Sequence, residues 1–283
     1  MRQRIDLHTH STASDGTYTP KELMRAAADI GLAAIALTDH DTFDGLPEAR
    51  CEAEQLGLEL VPGCELSLDY GGMPTHLLAL FVDERPGNVN AELERVRSAR
   101  TLRNELMLQK LKTVGVHLRM EDVKRRAAGV VGRPHMAQAM LEGGVVRSFE
   151  EAFARFLGAG GLAYVPKAKL TPREAIEAIH ADKGLAVLAH PYVLSQQPAR
   201  IRAILADLAS MGLDGVEVYY TEHSDKYTGL VAALARELGL LMSGGSDFHG
   251  AVKPGVALGR GRGGLFVDGE LLDRMKETLA ARA

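Results

Sequence analysis

Ala33-Ala34-Ile35-Ala36-Leu37-Thr38-Asp39-His40 reads as an apolar strand that ends in an acid and a histidine. The same figure recurs along the chain. Ile5–His10 closes on His8-Thr9-His10, Leu185–Ala189 runs into His190-Pro191, and Leu240–Ser243 leads to Ser246-Asp247-Phe248-His249. With Asp15, Glu65 and His76 as companions, six of the ten histidines belong to this set. His8 and His10 alternate on a strand and point to one side, and Asp247 and His249 repeat that spacing. One His-x-His is weak, because surface histidines also fall two apart. Recurrence at strand ends is not expected of solvated side chains. Imidazole with carboxylate is the ligand set of Zn, Mn or Fe, so the pattern points to a metal site.

Between these strands the chain alternates. Thr19-Pro20-Lys21-Glu22 has capping-box spacing with proline at the first helical position, and it opens a helix that Gly31 closes. Thr171-Pro172-Arg173-Glu174 repeats the signature before the strand at Leu185. Further helices are expected over about Leu46–Gln55, Ala199–Met211 and Tyr227–Leu238, and further strands over Leu58–Glu65, Thr75–Val82 and Gly215–Tyr219. Strands alternating with helices of this length argue for a parallel sheet or barrel. A doubly wound sheet gathers ligands at one switch point, whereas here candidate residues follow nearly every strand. That favours a closed barrel with its site at the strands' C-terminal ends. His76 fits least well, since it opens its strand. Gly71-Gly72 and Gly160-Gly161 read as turns, and Gly244-Gly245 as a close backbone approach near Asp247 and His249.

The 283 residues, 46% hydrophobic, can bury a large core. The expected organisation is a barrel of residues 1–87 and 169–283, with a helical insertion at 88–168. A formal charge of −4 does not mark a protein that coats nucleic acid. Cys51 and Cys64 form no disulfide framework, which fits a reducing compartment. Charge interrupts the first residues, and no stretch reaches the ~20 apolar residues of a membrane span. The chain therefore reads as soluble and cytoplasmic, with no membrane and no evident protein partner.

These motifs, in this order, resemble the polymerase and histidinol phosphatase (PHP) family over about residues 1–83 and 185–250. The resemblance implies an α/β fold, a distorted (β/α)7 barrel, holding two or three divalent ions. Manganese is the first expectation, with iron, zinc or magnesium as alternatives. It implies ligands at His8, His10, Asp15, His40, Glu65, His76, His190, Asp247 and His249, with Glu65 bridging two ions and Asp39 orienting a ligand histidine. Nine ligands exceed what two ions need, so three are implied. Clustered divalent ions bring a water's pKa from ~15.7 toward ~7 and clamp a phosphoryl group. Hydrolysis by a metal-bound hydroxide held among Glu65, His190 and Asp247 is the expected chemistry.

The insertion bears on the substrate. From Arg100 to Arg133 nine Lys or Arg face three acids, a surplus of six in a chain of charge −4. Such a run is as often a solvated face as a recognition surface. Arg100, Arg103 and Asn104 share one helix face, and Gly132-Arg133-Pro134-His135 is a rigid turn opening a helix. With Ala163-Tyr164-Val165-Pro166-Lys167 and the Asp247 motif, these segments resemble the nucleoside 3′,5′-bisphosphate phosphatases and the enzymes that trim short 5′-phosphorylated RNA. The resemblance implies removal of the 3′-phosphate of a small nucleotide, with Arg100, Arg103, Asn104, Arg133, His135 and Lys167 binding substrate. The alternatives are a 5′-to-3′ exoribonuclease on short RNA, a histidinol-phosphate phosphatase, or a non-catalytic metal-binding accessory module. His223, past a strand end, is a candidate for contacting phosphate or protonating the leaving oxygen. Tyr164 is read as core or as a base-stacking ring, and His117 and His180 as surface or packing residues. Met24, Met107, Met136 and Met140 are read as core.

Overall fold

The computed structural model describes residues 3–83, 85, 87–126 and 131–282. In chain order its elements begin with β1 (Arg4–Asp6), α1 (Pro20–Asp29), β2 (Ala34–Leu37), α2 (Leu46–Leu56), β3 (Glu59–Tyr70), β4 (Met73–Leu80) and α3 (Asn88–Thr113). The middle of the chain adds α4 (Met120–Lys124), α5 (Arg133–Glu142), α6 (Phe149–Ala152) and α7 (Pro172–Ala181). Then follow β5 (Leu185–Leu188), α8 (Pro198–Ser210), β6 (Gly215–Tyr220), α9 (Asp225–Leu238), β7 (Leu241–Gly245), β8 (Val267–Asp268) and α10 (Glu270–Ala280). Two compact units result: Met1–Leu93 with Leu170–Ala283, and Glu94–Lys169.

The first unit holds one sheet in the order β7-β6-β5-β4-β3-β2-β1-β8. β7 closes back on β1: Leu7 N–H donates to Gly244 O (3.1 Å), Asp247 N–H donates to His8 O (2.8 Å), and Thr9 pairs in parallel with Phe248. Seven strands thus curl into a distorted barrel, and β8 lies antiparallel on β1. Ile5 and Leu7, Ala34 and Ala36, Leu78 and Leu80, and Leu185 and Val187 form one buried apolar cluster. Each pair is two residues apart, so each projects from one face of its strand. The opposite face is also covered, as Ile35 and Leu37 are equally buried. Burial on both faces is why these strands read as unbroken apolar runs. Thr19 and Thr171 cap α1 and α7 as their spacing predicts: each hydroxyl accepts from the N3 N–H, and the N3 glutamate accepts from the cap.

The all-parallel expectation fails at β4, which pairs antiparallel with both β3 and β5. Gly71 and Gly72, at φ +58° and +91°, make the two-residue loop between β3 and β4. Positive φ at both central residues is the requirement of a tight hairpin turn. Reversal brings the start of β4 to the end of the barrel where its parallel neighbours finish. This explains His76, a candidate ligand that opens its strand.

Closure between β1 and β7 depends on two devices. Buried Asp6 accepts hydrogen bonds from His8 N (3.3 Å), Ser246 N (2.9 Å), Ser246 Oγ (2.5 Å) and Gly259 N (2.8 Å). Burial pushes its carboxyl pKa up, opposed by those hydrogen bonds. Gly245 supplies the second: a Cβ there would lie 2.4 Å from His8 Cβ and 2.5 Å from His8 N. A Cβ at Gly244 would meet Tyr219 at 2.6 Å. The glycine pair therefore lets β7 approach β1 and β6, not the Asp247 and His249 side chains.

The second unit packs its helices around Met107, Leu111, Met136, Met140, Phe156 and Leu157. Met24, Met107, Met136 and Met140 are all fully buried, as read. Among the described residues no helix is long and apolar enough to cross a membrane.

Gly245→Ala should destabilise the metal-free protein by about 1–3 kcal/mol, the usual cost of overpacking. Gly229, inside α9 with open space around it, is the control. Gly229→Ala should stabilise by roughly 0.5–1 kcal/mol. Urea denaturation of both variants checks the opposite signs.

Candidate metal centre

Glu65 sits midway along β3, beyond its pairing with β2, and is 1% exposed. Five imidazoles surround its carboxylate. Oε1 lies 2.8 Å from His76 Nδ1 and 2.9 Å from His190 Nε2. Oε2 lies 3.0 Å from His8 Nε2, 3.1 Å from His10 Nε2 and 3.4 Å from His40 Nδ1. These side chains come from the ends of β1, β2 and β5 and from within β4, where strand geometry aims them at one point. Asp247 Oδ1 adjoins the cluster, 3.3 Å from His10 Nε2 and 3.3 Å from His249 Nδ1. Asp15 Oδ1 lies 3.3 Å from His249 Nε2 on a half-exposed turn.

The sequence thus names nine residues, and the fold gathers all nine. Eight of them fall into three overlapping sets whose ligand atoms lie within 4.8 Å of one another: His10, Asp15, His40 and His249; His8, His10, Glu65 and Asp247; His40, Glu65 and His76. His190 joins through its 2.9 Å contact with Glu65. Both ring nitrogens of His10, and Nδ1 of His40 and of His76, are buried without hydrogen-bond partners. Buried imidazole nitrogens crowded against carboxylate oxygens without hydrogen-bond geometry are the setting a divalent cation completes. The donor set, imidazole and carboxylate without thiolate, suits first-row divalent ions.

The electrostatics agree. Burial alone would raise the Glu65 carboxyl, but the surrounding imidazoles hold it well below the usual carboxylate range. Asp247 is lowered likewise, against its burial, by His8 and His10. Burial would lower His8, yet Glu65, Glu217 and Asp247 keep its pKa well above the ordinary value. His10, also against burial, is raised to about 9 by Asp247 and Glu65. Protons here do the compensating that metal ions do when bound.

A second ring of residues escaped the sequence reading. Glu217 in β6 accepts from His8 Nδ1 (3.0 Å) and from His190 N (2.7 Å). An acid inside Val216-Glu217-Val218, a strand otherwise fully buried, was the available signal, because a buried charge needs partners. Tyr220 donates its hydroxyl to Asp247 Oδ2 (2.8 Å), and Lys253 pairs with the same oxygen, leaving Oδ1 to the histidines. His190 and Asp247 both have positive φ, +29° and +54°. Such strain costs about 1–3 kcal/mol and persists where surroundings over-determine it. Asp39 does not orient a histidine. Its carboxylate accepts from Ser11 N (2.7 Å), Ser11 Oγ (2.6 Å) and Ser14 Oγ (2.6 Å), shaping the turn that carries Asp15.

His223 donates Nδ1–H to Val218 O (2.9 Å), while its buried Nε2 has no hydrogen-bond partner. Burial pushes its pKa down, so at neutral pH Nε2 carries a lone pair and suits an acceptor role. His180 pairs with buried Asp214 (2.8 Å), a packing role, and His117 is exposed.

The remaining candidates lie in the second unit. Arg103 Nε donates to Val165 O (2.9 Å), Asn104 Nδ2 to Val131 O (3.0 Å) and Arg133 to Leu157 O (3.3 Å). Arg133 also lies 6.0 Å from the ring of half-buried Tyr164. His135 Nδ1 accepts from Gly132 N (3.1 Å) at the start of α5. Burial, then the charges of Arg133 and Arg100, push the Arg103 guanidinium down, so both of those cations act on Arg103. Lys167 is exposed in the same unit.

Residues 6–93 match the PHP domain model. The chain is 35% identical over 249 residues to the 5′-3′ exoribonuclease of Haemophilus influenzae, covering 88% of this chain and 91% of that one. It is 32% identical over 257 residues to the 3′,5′-nucleoside bisphosphate phosphatase of Chromobacterium violaceum, covering 90% of each. A solved structure of a metal-dependent phosphoesterase candidate from Bifidobacterium adolescentis superposes with a TM-score of 0.67 at 30% identity, covering 96% of this chain and 95% of that one. Five histidines around one buried carboxylate, on a barrel shared with these relatives, have one reading: the chain belongs to the PHP domain family and is a metal-dependent phosphoesterase, a hydrolase of phosphoester bonds.

Proposed function

We propose that the protein removes the 3′-phosphate of nucleoside 3′,5′-bisphosphates, converting adenosine 3′,5′-bisphosphate to AMP and phosphate in the cytoplasm. One observation carries this choice within the family: Arg100, Arg103 and Arg133 form a cluster of like charge. An anion relieves their repulsion, and a substrate with two phosphates has one to spare for it. In this reading Arg100, Arg103, Asn104, Arg133, His135 and Lys167 recognise the phosphate that does not react. Resemblance to the Chromobacterium bisphosphate phosphatase supports it. The second reading, 5′-to-3′ trimming of short RNA, is favoured by the Haemophilus relative, and a 5′-phosphate would serve the same arginines. Histidinol phosphate has one phosphate and an amine, which suits such a cluster poorly. A non-catalytic module would not need nine convergent ligands.

In this proposal the nine residues hold three divalent ions, manganese first, with Glu65 shared between two. When bound, the ions neutralise phosphoryl oxygens and supply a hydroxide at neutral pH. The chain does the positioning. Tyr220 and Lys253 hold Asp247 Oδ2 and direct Oδ1 at the cluster, and Asp39 fixes the turn that carries Asp15. His223 offers Nε2 as an acceptor to a substrate hydroxyl. The deciding experiment measures phosphate release with Mn²⁺ from nucleoside 3′,5′-bisphosphates, AMP, histidinol phosphate and short 5′-phosphorylated RNA. Preference for RNA or histidinol phosphate over the bisphosphates would refute the first reading.

Wild-type protein should carry at least two divalent ions and lose hydrolysis on chelation. Glu65→Gln keeps the shape but removes the shared charge, so turnover should fall by orders of magnitude in a folded variant. Metal analysis with steady-state kinetics checks both.

Metal binding should release protons at pH 7, since in the metal-free protein His10 is raised to about 9 and His8 well above its ordinary value. Ligands must deprotonate to bind, so affinity should weaken as pH falls. Calorimetry in two buffers of different ionisation enthalpy counts the protons.

Arg133→Ala should reduce kcat/KM for a bisphosphate roughly 10- to 150-fold, equivalent to ~1.5–3 kcal/mol for a charge-assisted contact. An aryl monophosphate, with no second phosphate, should be hydrolysed almost normally. Equal losses on both substrates would exclude a remote-phosphate grip.

A further inference from the structure

Glu217 is fully buried, and its two oxygens serve different elements. Oε1 accepts from His8 Nδ1 at 3.0 Å, and Oε2 accepts from the His190 backbone N–H at 2.7 Å. On the cluster side, Glu65 meets the far nitrogen of the His8 ring, Nε2, at 3.0 Å and His190 Nε2 at 2.9 Å. The rings stack with centroids 5.8 Å apart. Two buried carboxylates therefore enclose two histidines, one on the cluster side and one behind.

The two contacts do different things. With a proton on each nitrogen, His8 bridges the carboxylates. A metal ion held beside Glu65 would need Nε2 free of its proton, and Glu217 would keep the one remaining ring proton on Nδ1. The neutral ring left behind has its lone pair on Nε2, and a carboxylate on Nδ1–H makes that lone pair more basic. At His190 the contact is to the backbone, where φ is +29°. A charge-assisted hydrogen bond from this N–H to a buried carboxylate holds a conformation that the chain seldom adopts. Glu217 is distant from solvent, and its neighbours Val216 and Val218 are apolar and buried, so packing alone does not call for an acid there. Tyr220 and His223 also face its charge.

We propose that Glu217 is a positioning residue of the metal centre: it keeps His8 as the Nδ1–H tautomer and fixes the strained His190 backbone, so that both Nε2 atoms converge beside Glu65. This rests on His8 and His190 being metal ligands, as under the proposed function. Glu217→Gln tests it, because an amide of the same size can accept from only one of the two donors. Mn²⁺ titration gives affinity and stoichiometry, thermal unfolding of the metal-free protein reports structure, and ¹⁵N spectra of the Zn²⁺-loaded protein show which His8 nitrogen bears the proton. The expected result is a metal-free Tm close to wild type, Mn²⁺ affinity reduced about 10- to 100-fold, and loss of the single Nδ1–H state. Unchanged affinity with an unchanged tautomer overturns the proposal, and so does a loss of affinity that only tracks a fall in metal-free Tm. If Glu217→Gln does not fold, Glu217→Asp, which keeps the charge but retracts it, is read by the same criteria. Wild-type protein that binds no Mn²⁺ sinks the metal reading itself and this inference with it, whereas normal wild-type binding with an unaffected variant sinks this inference alone.

Discussion

A carboxylate taken fully out of water must be compensated, and the Glu65 site is organised around that requirement. Its ionised form is costly in a protein interior unless positive charge lies close on several sides. His8 and His10 provide it, within a ring of five imidazoles whose nitrogens lie within 3.4 Å of one oxygen or the other. In the metal-free protein the charge resides as protons on rings such as His8 and His10. Divalent ions can take over that role without moving the scaffold. Affinity for metal and dependence on pH are thus two aspects of one buried charge.

Holding so many ligands together sets demands on the barrel. A parallel circuit alone would send the opening residue of β4 to the wrong end, and the hairpin reversal corrects that. The seam between β1 and β7 must be close enough for His8 to stand beside Asp247. Gly245 removes the side chain that would block the approach, and Asp6 ties the two segments through two hydrogen bonds from Ser246, with His8 N and Gly259 N completing its set. Strained backbones at His190 and Asp247 are the local cost, and Glu217 and the Asp6 knot are what maintain them. The acids behind the ligands therefore matter to the site as much as the acids within it.

The second unit follows a different logic. Its arginines do not meet carboxylates at the cluster; three of its polar candidates donate to backbone carbonyls of their own unit. Arg103 and Asn104 are buried, so they hold loops in place as well as adding polarity. Under the proposed function, the hydrogen bonds that fix Arg103 and Arg133 would leave less side-chain freedom to be lost when an anion binds.

Much of this was legible in the chain itself. Unbroken apolar runs ending in histidine located the strands and their functional ends. Threonine, proline and glutamate at fixed spacing marked the two capped helices, and buried methionines declared the helical core. These are local properties, set by alternation, by capping and by hydrophobicity within a few residues. The reversal at β4 was written in Gly71-Gly72, but a glycine pair read only as a turn does not reveal which strands it joins in opposite directions. Asp39 looked like a partner of His40 by adjacency, yet its hydrogen bonds go to Ser11 and Ser14 across the neighbouring strand end. Glu217 was hidden for the same reason: its partners stand 209 and 27 residues away. The sequence by itself determined the set of candidate ligands and the strand rhythm, because each depends on residue type and short-range spacing. Tertiary structure alone decided which nitrogen of each histidine faces the cluster and which carboxylate stands behind it, because hydrogen-bond partners are chosen by strands that meet only when the barrel closes.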